Sequence, residues 1–169
     1  MAQESGATSY VGVDFETTEG VSPASKVLKK VPFVSMSVVA NQNLNKSAVI
    51  TSTRDAGEPF KGNYGVDGNI VIPVECGEAF GYWLKGLFGE PTTTGTEAPY
   101  THVFKPSDTV PSMVIEKGFN TLEKYDLLNG CKVGQMSMSV GGDGELVATL
   151  TVAGMSSTFS GTPYDSTLS

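Results

Sequence analysis

The sequence has few of the residues on which most catalytic and metal sites depend. Its 169 residues include one histidine, His102, and two cysteines, Cys76 and Cys131. Asp108 and Ser112 are close to His102 in sequence, but spacing alone does not establish a triad geometry. The metal-binding pattern C-x-x-C is absent, and no G-x-G-x-x-G follows a strand pattern. We therefore expect no catalytic residues, metal site or cofactor.

Basic residues are also scarce. The chain has 11 Lys and Arg against 18 Asp and Glu, a net charge of −7. A protein that holds nucleic acid by phosphate neutralisation needs clustered basic groups, so this class is disfavoured.

Long apolar runs are missing as well. No stretch of eighteen apolar residues occurs, and residues 1–12 lack the basic and apolar regions of a signal peptide. We expect synthesis in a reducing cytoplasm, no membrane partner, and Cys76 and Cys131 as free thiols.

What is abundant points to strands. Valine (19) outnumbers leucine (10), and Ser and Thr together number 34. Val and Thr suit the pleated, half-buried surface of a strand, and the 20 glycines and 9 prolines supply turns. The composition predicts one mostly-β domain of ordinary size.

Residues 1–30 lack a sustained period and are interpreted as an N-terminal arm, so the β domain is expected over 31–169. Alternation predicts strands from Phe33 to Val38 and over 66–74, with shorter ones near 100–105 and 112–119. The clearest hairpin joins a strand containing Met136, Met138 and Val140 to one containing Leu146, Ala148, Leu150 and Val152, through Gly141–Gly144.

Two segments interrupt this pattern. Residues 41–63 are mostly polar and predict a long loop, which is uncommon inside a compact domain and usually functional or disordered. Residues 75–88 predict one amphipathic helix. Its apolar stripe, which we expect to pack on the sheet, consists of Phe80, Trp83, Leu84, Leu87 and Phe88.

An ordered set of segments resembles the tail tube proteins of long-tailed, siphovirus-like bacteriophages. The segments include TRDAGEPFKGNYGVDGNIVIPVE, GYWLKGLFGEPTTTG, PYTHVFKP, YDLLNGCKVGQMSMSVGGDGELVATLTVAG and TPYDS, and the similarity runs from about residue 14 to the end. No one of these motifs is specific, whereas their order is.

The resemblance implies a fold and a function. The fold is a β-sandwich or barrel of the tail tube type, with one helix packed on the sheet and a long extended loop. The function is structural: copies form rings, rings stack into a hollow virion tube, and DNA passes through it at ejection without sequence-specific binding. Implied partners are further copies of the chain, a tape measure protein and tail-terminating proteins, with assembly in the host cytoplasm.

The resemblance also suggests surfaces. The long loop would contact neighbouring subunits or rings through its charged and aromatic members, Arg54, Asp55, Glu58, Phe60 and Lys61. A face of small polar side chains on the last hairpin is a candidate for the tube lumen or a subunit seam. Its members are Gln135, Ser137, Ser139, Thr149 and Thr151.

Several alternatives stay open. Many relatives look longer, so the chain is either a one-domain member forming six-fold rings or one half of a member whose trimers are pseudo-six-fold. A β-sandwich binding module that decorates a virion, and the tube of a contractile secretion system, are the other structural interpretations. An enzyme is disfavoured by the missing catalytic groups.

Overall fold

The computed structural model describes residues 6–50, 52, 57–75, 77–140 and 144–168. Strands dominate these residues, with one α-helix among them. The elements in chain order are a 3-10 turn (Gly6–Thr8), β1 (Ser9–Phe15), β2 (Lys29–Val31), β3 (Ser35–Met36), β4 (Val39–Asn45), β5 (Phe60–Pro73), α1 (Glu78–Phe88), β6 (Thr92–Thr94), β7 (Thr101–Val103), β8 (Met113–Phe119), β9 (Lys124–Met138), β10 (Val147–Gly154) and β11 (Ser156–Ser160).

Nine strands form one antiparallel sheet in the order β2-β1-β8-β9-β10-β5-β3, with β4 also paired to β5 and β11 to β9. The long strand β9 joins two halves of this sheet. Its first half pairs with β8 and β11, and its second half pairs with β10. The sheet therefore curls at β9 into a half-barrel, which confirms the mostly-β fold with one helix.

The main core fills the inside of the curl. Alternate residues of β10, namely Ala148, Leu150 and Val152, are buried there against Ile70 and Ile72 of β5. Their neighbours along β10 point to the opposite face, since side chains of a strand alternate between faces. The predicted alternation of this strand is confirmed.

A second, smaller cluster covers the other face of the β1–β8–β9 half. It contains Tyr10, Leu28, Val114, Tyr125 and Tyr164. Because both faces of this half are covered, β8 is buried at four consecutive positions from Met113. Met113, Val114 and Ile115 therefore form a short apolar run instead of an alternation.

The expectation of an N-terminal arm over residues 1–30 is wrong for the described residues 6–30. β1 lies between β2 and β8, with Val11 opposite Val31 on one side and Lys117 on the other. The β domain therefore does not begin at residue 31. No alternation of apolar and polar residues marks β1 as a strand in the sequence, because Tyr10, Val11, Gly12 and Val13 are all buried.

The expected loop over 41–63 is also too long. Residues 41–45 and 60–63 belong to the paired strands β4 and β5, from Asn41 opposite Gly65 to Asn45 opposite Phe60, with a register shift between Gln42 and Leu44. Residues 46–59 separate the two strands, and of these the structure describes 46–50, 52 and 57–59. Polar side chains occupy both faces here because the hairpin extends beyond the core, and so no apolar alternation marks the strands.

Other boundaries shift by a few residues. The helix begins at Glu78 and not at residue 75, since the Val74 N–H still donates to the Leu146 carbonyl oxygen at 2.8 Å and Gly77 is extended. The strand expected from residue 66 begins at Phe60. At the end of the last hairpin, Met138 and Val140 are exposed, so the apolar face expected there does not extend past Met136.

Candidate functional site

The half of the sheet formed by β4, β5, β10 and the second half of β9 has two open edges. At one end, β4 pairs with β5 on one side only. At the other end, the pairing of β9 with β8 stops at Cys131, whereas its pairing with β10 continues to Met138. Within the described part of the chain, no strand covers the outer side of either segment. Such edges present backbone groups that can pair with another chain.

The directions of the two edge strands are opposite. β4 is antiparallel to β5, β5 to β10, and β10 to β9. The four strands therefore alternate in direction, and β4 runs against β9. If the β4 edge of one copy met the β9 edge of another, the alternation would continue across the junction.

Two adjacent cross-strand rows on the outer face of this half carry mostly small, uncharged side chains. One cross-strand row contains Ser35, Val71, Thr149 and Ser137. The next row contains Asn69, Thr151 and Gln135, and Ser37 hydrogen-bonds to the Asn69 backbone. We call these seven residues with Ser37 the polar face. These eight residues are uncharged, whereas the next row of the same face contains Asp67 and Lys132, both opposite Ala153.

The structure thus brings four of the five predicted face residues together. Gln135 lies opposite Thr151, and Ser137 lies opposite Thr149. Ser139 follows the end of β9 and is exposed.

The predicted loop residues are divided between the strand and the connection. Arg54 and Asp55 lie outside the described residues. Glu58 is exposed in the connection, and Phe60 and Lys61 are exposed at the start of β5.

The helix residues do not share one environment. Trp83 is fully buried, and Phe80 and Leu87 pack against the main core. Leu84 instead lines a surface groove, and Phe88 is half-buried. The Trp83 Nε1 atom has no hydrogen-bond partner among the described residues. Gly86 was not part of the predicted apolar stripe. It is the second buried residue of α1 and lies against Met113.

His102 and the cysteines do not form a reactive group in the described residues. His102 lies on the exposed strand β7, and its Nδ1 is 2.8 Å from the Thr93 hydroxyl. Cys131 is buried, and burial raises the pKa of its thiol to about 12, with smaller contributions from Glu16 and Asp126. The thiol is therefore protonated and inert at neutral pH. Cys76 lies outside the described residues.

Sequence reasoning missed a set of buried carboxylates that tie the chain segments to the sheet. Glu16 accepts hydrogen bonds from the backbone N–H groups of Gly20 and Gly130, each at 2.8 Å. Asp126 forms an ion pair with Lys117 at 2.9 Å and accepts a 2.6 Å hydrogen bond from the Ser157 hydroxyl.

Strand β1 and the segment that follows β11 meet at Glu116. Its Oε1 accepts a hydrogen bond from the Tyr10 hydroxyl and its Oε2 one from the Tyr164 N–H, each at 2.6 Å. Desolvation raises the pKa of Glu116, although both hydrogen bonds oppose this. The pKa of nearby Asp165 is lowered by hydrogen bonds from Thr167 and from the Leu28 N–H. One signal was visible in the sequence: Glu116 interrupts the apolar run of β8.

The described residues contain neither a metal-ligand cluster nor a helix that could span a membrane. No group of three or more His, Cys, Asp or Glu side chains is placed to hold a metal ion. The only α-helix among these residues, α1, is too short to cross a membrane.

Strand edges that can pair with another chain characterise a subunit that acts by contacting other chains. The family model described as phage tail tube protein matches residues 6–169, and the chain belongs to that family. Its role is accordingly structural, as a subunit of a phage tail tube and a component of the virion tail. No curated protein matches the chain in sequence.

Solved structures share the fold at low identity. The sheath–tube complex of an extracellular contractile injection system (PVC) in its extended state is 11% identical, covering 94% of this chain and 91% of that one, with a TM-score of 0.58. The SPP1 tail tube is 9% identical over 93% and 78%, with a TM-score of 0.54. The tube-terminating cap of the anti-feeding prophage is 13% identical over 95% and 92%, with a TM-score of 0.53.

Proposed function

We propose that copies of the chain form a ring by pairing the open edge of β4 in one copy with the open edge of β9 in the next. The observation that carries this proposal is the opposite direction of the two edges, which continues the antiparallel alternation. Ring closure removes both edges, and with them the liability of exposed strands. Rings of this kind would stack into the tube.

The polar face would line the lumen. The main core packs against the opposite face of the same strands, so in a closed ring the polar face is the one left free to border a channel. Small uncharged side chains suit a conduit, because a wall of Lys and Arg would hold DNA by its phosphates. The tape measure protein would occupy the lumen during assembly, and DNA would pass through it later.

The proposal also includes the composition of the rings, the partners of the tube and the place of assembly. The rings contain six such sheets, from six copies or from three copies of a two-domain chain. Tail-terminating proteins cap the tube, assembly takes place in the host cytoplasm, and the chain has no enzymatic activity.

Two deletions test the edge pairing. Replacing residues 47–57 by a short Gly-Asn-Gly turn shortens the connection but keeps β4, and rings with a central hole should persist in negative-stain micrographs. Replacing residues 42–60 by the same turn removes most of the β4 edge and should leave a folded monomer by light scattering. Rings from the longer deletion, or an unmodified protein that stays monomeric at high concentration, would refute the proposal.

A further inference from the structure

A groove of about 960 Å³ lies between α1 and the β6–β7 hairpin. Its apolar lining includes Leu84 of the helix, with Tyr100 and Phe104 on the opposite side. The residues of β6 and β7 are exposed throughout, so this hairpin stands over the groove without closing it.

The rim of the groove is acidic. Glu75 and Glu78, both exposed, border it at the start of α1. The one lysine in the lining, Lys85, forms an ion pair with Glu90 at 2.6 Å. An occupant with an apolar end and flanking positive charge would match this surface.

The tip of the β4–β5 hairpin has that composition. Val49 and Ile50 are 70% and 93% exposed. Lys46 and Lys61 lie on either side of the connection and are exposed, and neither forms an ion pair with a described residue; Glu58 is the one acidic residue among the described residues between them. Residues 39–50 contain one charged side chain, Lys46, in a chain with a net charge of −7.

The tip and the groove lie at opposite ends of β5. The tip precedes Phe60, whereas the groove begins at Val74, directly after Pro73. The 14 residues of β5 span roughly 40 Å at about 3.3 Å per residue. A tip therefore does not reach the groove of its own copy, and a contact between them joins two copies head to tail. Such heterologous contacts propagate into rings or filaments.

We propose that Val49 and Ile50 of one copy insert into the groove between α1 and the β6–β7 hairpin of a second copy, with Lys46 and Lys61 facing Glu75 and Glu78. The inference deepens the proposed function, because it names the surface that receives the connection between β4 and β5. It assigns the contact to a site distinct from the strand edges.

Cross-linking tests this contact directly. Ile50→Cys and Tyr100→Cys are combined in a Cys76→Ser background, and assembled tubes are treated with a short bis-maleimide. A covalent ladder of more than two chains should appear on a denaturing gel. The two single-cysteine proteins mixed together should stop at dimers, because each copy then has only one of the two partners.

Phe159→Cys with Tyr100→Cys is the matched control, since Phe159 is also exposed but lies on β11. A ladder from this control would overturn the inference. Tubes that form while the Ile50–Tyr100 pair yields no ladder would also overturn it and would indicate that something else occupies the groove. Neither result would refute the proposed function. Absence of both rings and tubes from the unmodified chain would instead refute the proposed function, and this inference with it.

A second measurement uses Ile50→Asp, which alters an exposed side chain and leaves the fold intact. The charge removes the apolar contact, so the protein concentration needed for tubes should rise by about tenfold or more. An unchanged concentration would contradict the inference. Circular dichroism should show the same strand content as in the unmodified protein.

Discussion

The Tyr10 hydroxyl donates a 2.6 Å hydrogen bond to Glu116 Oε1 across the paired strands β1 and β8. Glu116 also receives the Tyr164 N–H, so one carboxylate holds an N-terminal strand and a C-terminal segment on the same face of the sheet. The Tyr164 hydroxyl in turn donates to the Pro23 carbonyl oxygen at 2.8 Å. Strand β1 and the segment around Tyr164 are thus integrated into the domain through buried polar contacts.

The position of the Tyr10 ring requires glycine at position 118, which pairs with Tyr10 across β1 and β8. A Cβ there would overlap the ring atoms Cε1 and Cζ of Tyr10. Gly118→Ala should therefore displace the ring from Glu116 and lower the free energy of unfolding by about 1–3 kcal/mol. Urea unfolding measures this. Gly65→Ala, in β5 with open space around its Cβ, is the matched control and should change stability little.

Glu116 should also make stability depend on pH. Its pKa is raised from the ordinary 4.5, so the folded state holds the proton more tightly than the unfolded state. By linkage, this contribution to stability is present below pH 4.5 and is lost as pH rises through the raised value. Glu116→Gln removes this titration, and the variant should lose less stability than the unmodified protein between about pH 5 and pH 7.

Calorimetric melting at the two pH values measures the difference. Glu97→Gln removes one exposed negative charge and controls for net charge. If the stability of the unmodified protein and that of Glu116→Gln depended equally on pH, the raised pKa of Glu116 would not be the cause of the pH dependence.

The Lys117–Asp126 pair gives a test of burial. Lys117 also donates to the Val38 carbonyl oxygen at 2.8 Å, and the Asp126 side chain is only 4% exposed. Lys117→Met leaves a buried carboxylate without its cation and should cost about 3–5 kcal/mol. Lys132→Met breaks the exposed pair with Glu19 and should cost about 1 kcal/mol or less. Similar losses in the two variants, measured by urea unfolding, would contradict the assignment.

The polar face predicts an effect on DNA release. Ser137 and Thr149 lie opposite each other in one row of that face. Replacing both with lysine would place positive charge along the lumen, and DNA ejection from otherwise normal particles should slow. Release triggered in vitro and followed with a DNA-binding dye measures the rate. Asparagine at the same two positions is the uncharged control and should leave the rate unchanged, whereas normal kinetics with lysine would argue against a lumenal position.

Whether a strand could be predicted from the sequence depended on how its two faces are buried. The alternation of Ala148, Leu150 and Val152 marked β10 correctly, because this strand has one buried and one open face. β1 escaped detection because it is buried on both faces, and β4 because it is exposed on nearly every side chain. A two-residue period reports a strand only where the two faces differ in environment.

The helix shows the same limit at the level of single residues. Spacing placed Phe80, Trp83, Leu84, Leu87 and Phe88 on one stripe. The structure divides them, since Leu84 lines the groove beside the β6–β7 hairpin and Trp83 is buried in the core. Helical periodicity gives the angle of a side chain about the axis, and it does not say which neighbouring element lies at that angle.

By itself the sequence determined the mostly-β class, the single helix, the acidic balance and the scarcity of catalytic groups, because these depend on composition and on contacts between near neighbours in the chain. Its ordered motifs also indicated the tail tube family. Only the tertiary structure decided that β4 and β9 provide open edges of opposite direction, that Glu116 binds both Tyr10 and Tyr164, and that the groove and the hairpin tip are separated along β5. These features join residues far apart in sequence, such as Tyr10, Glu116 and Tyr164, and no local pattern encodes such pairings.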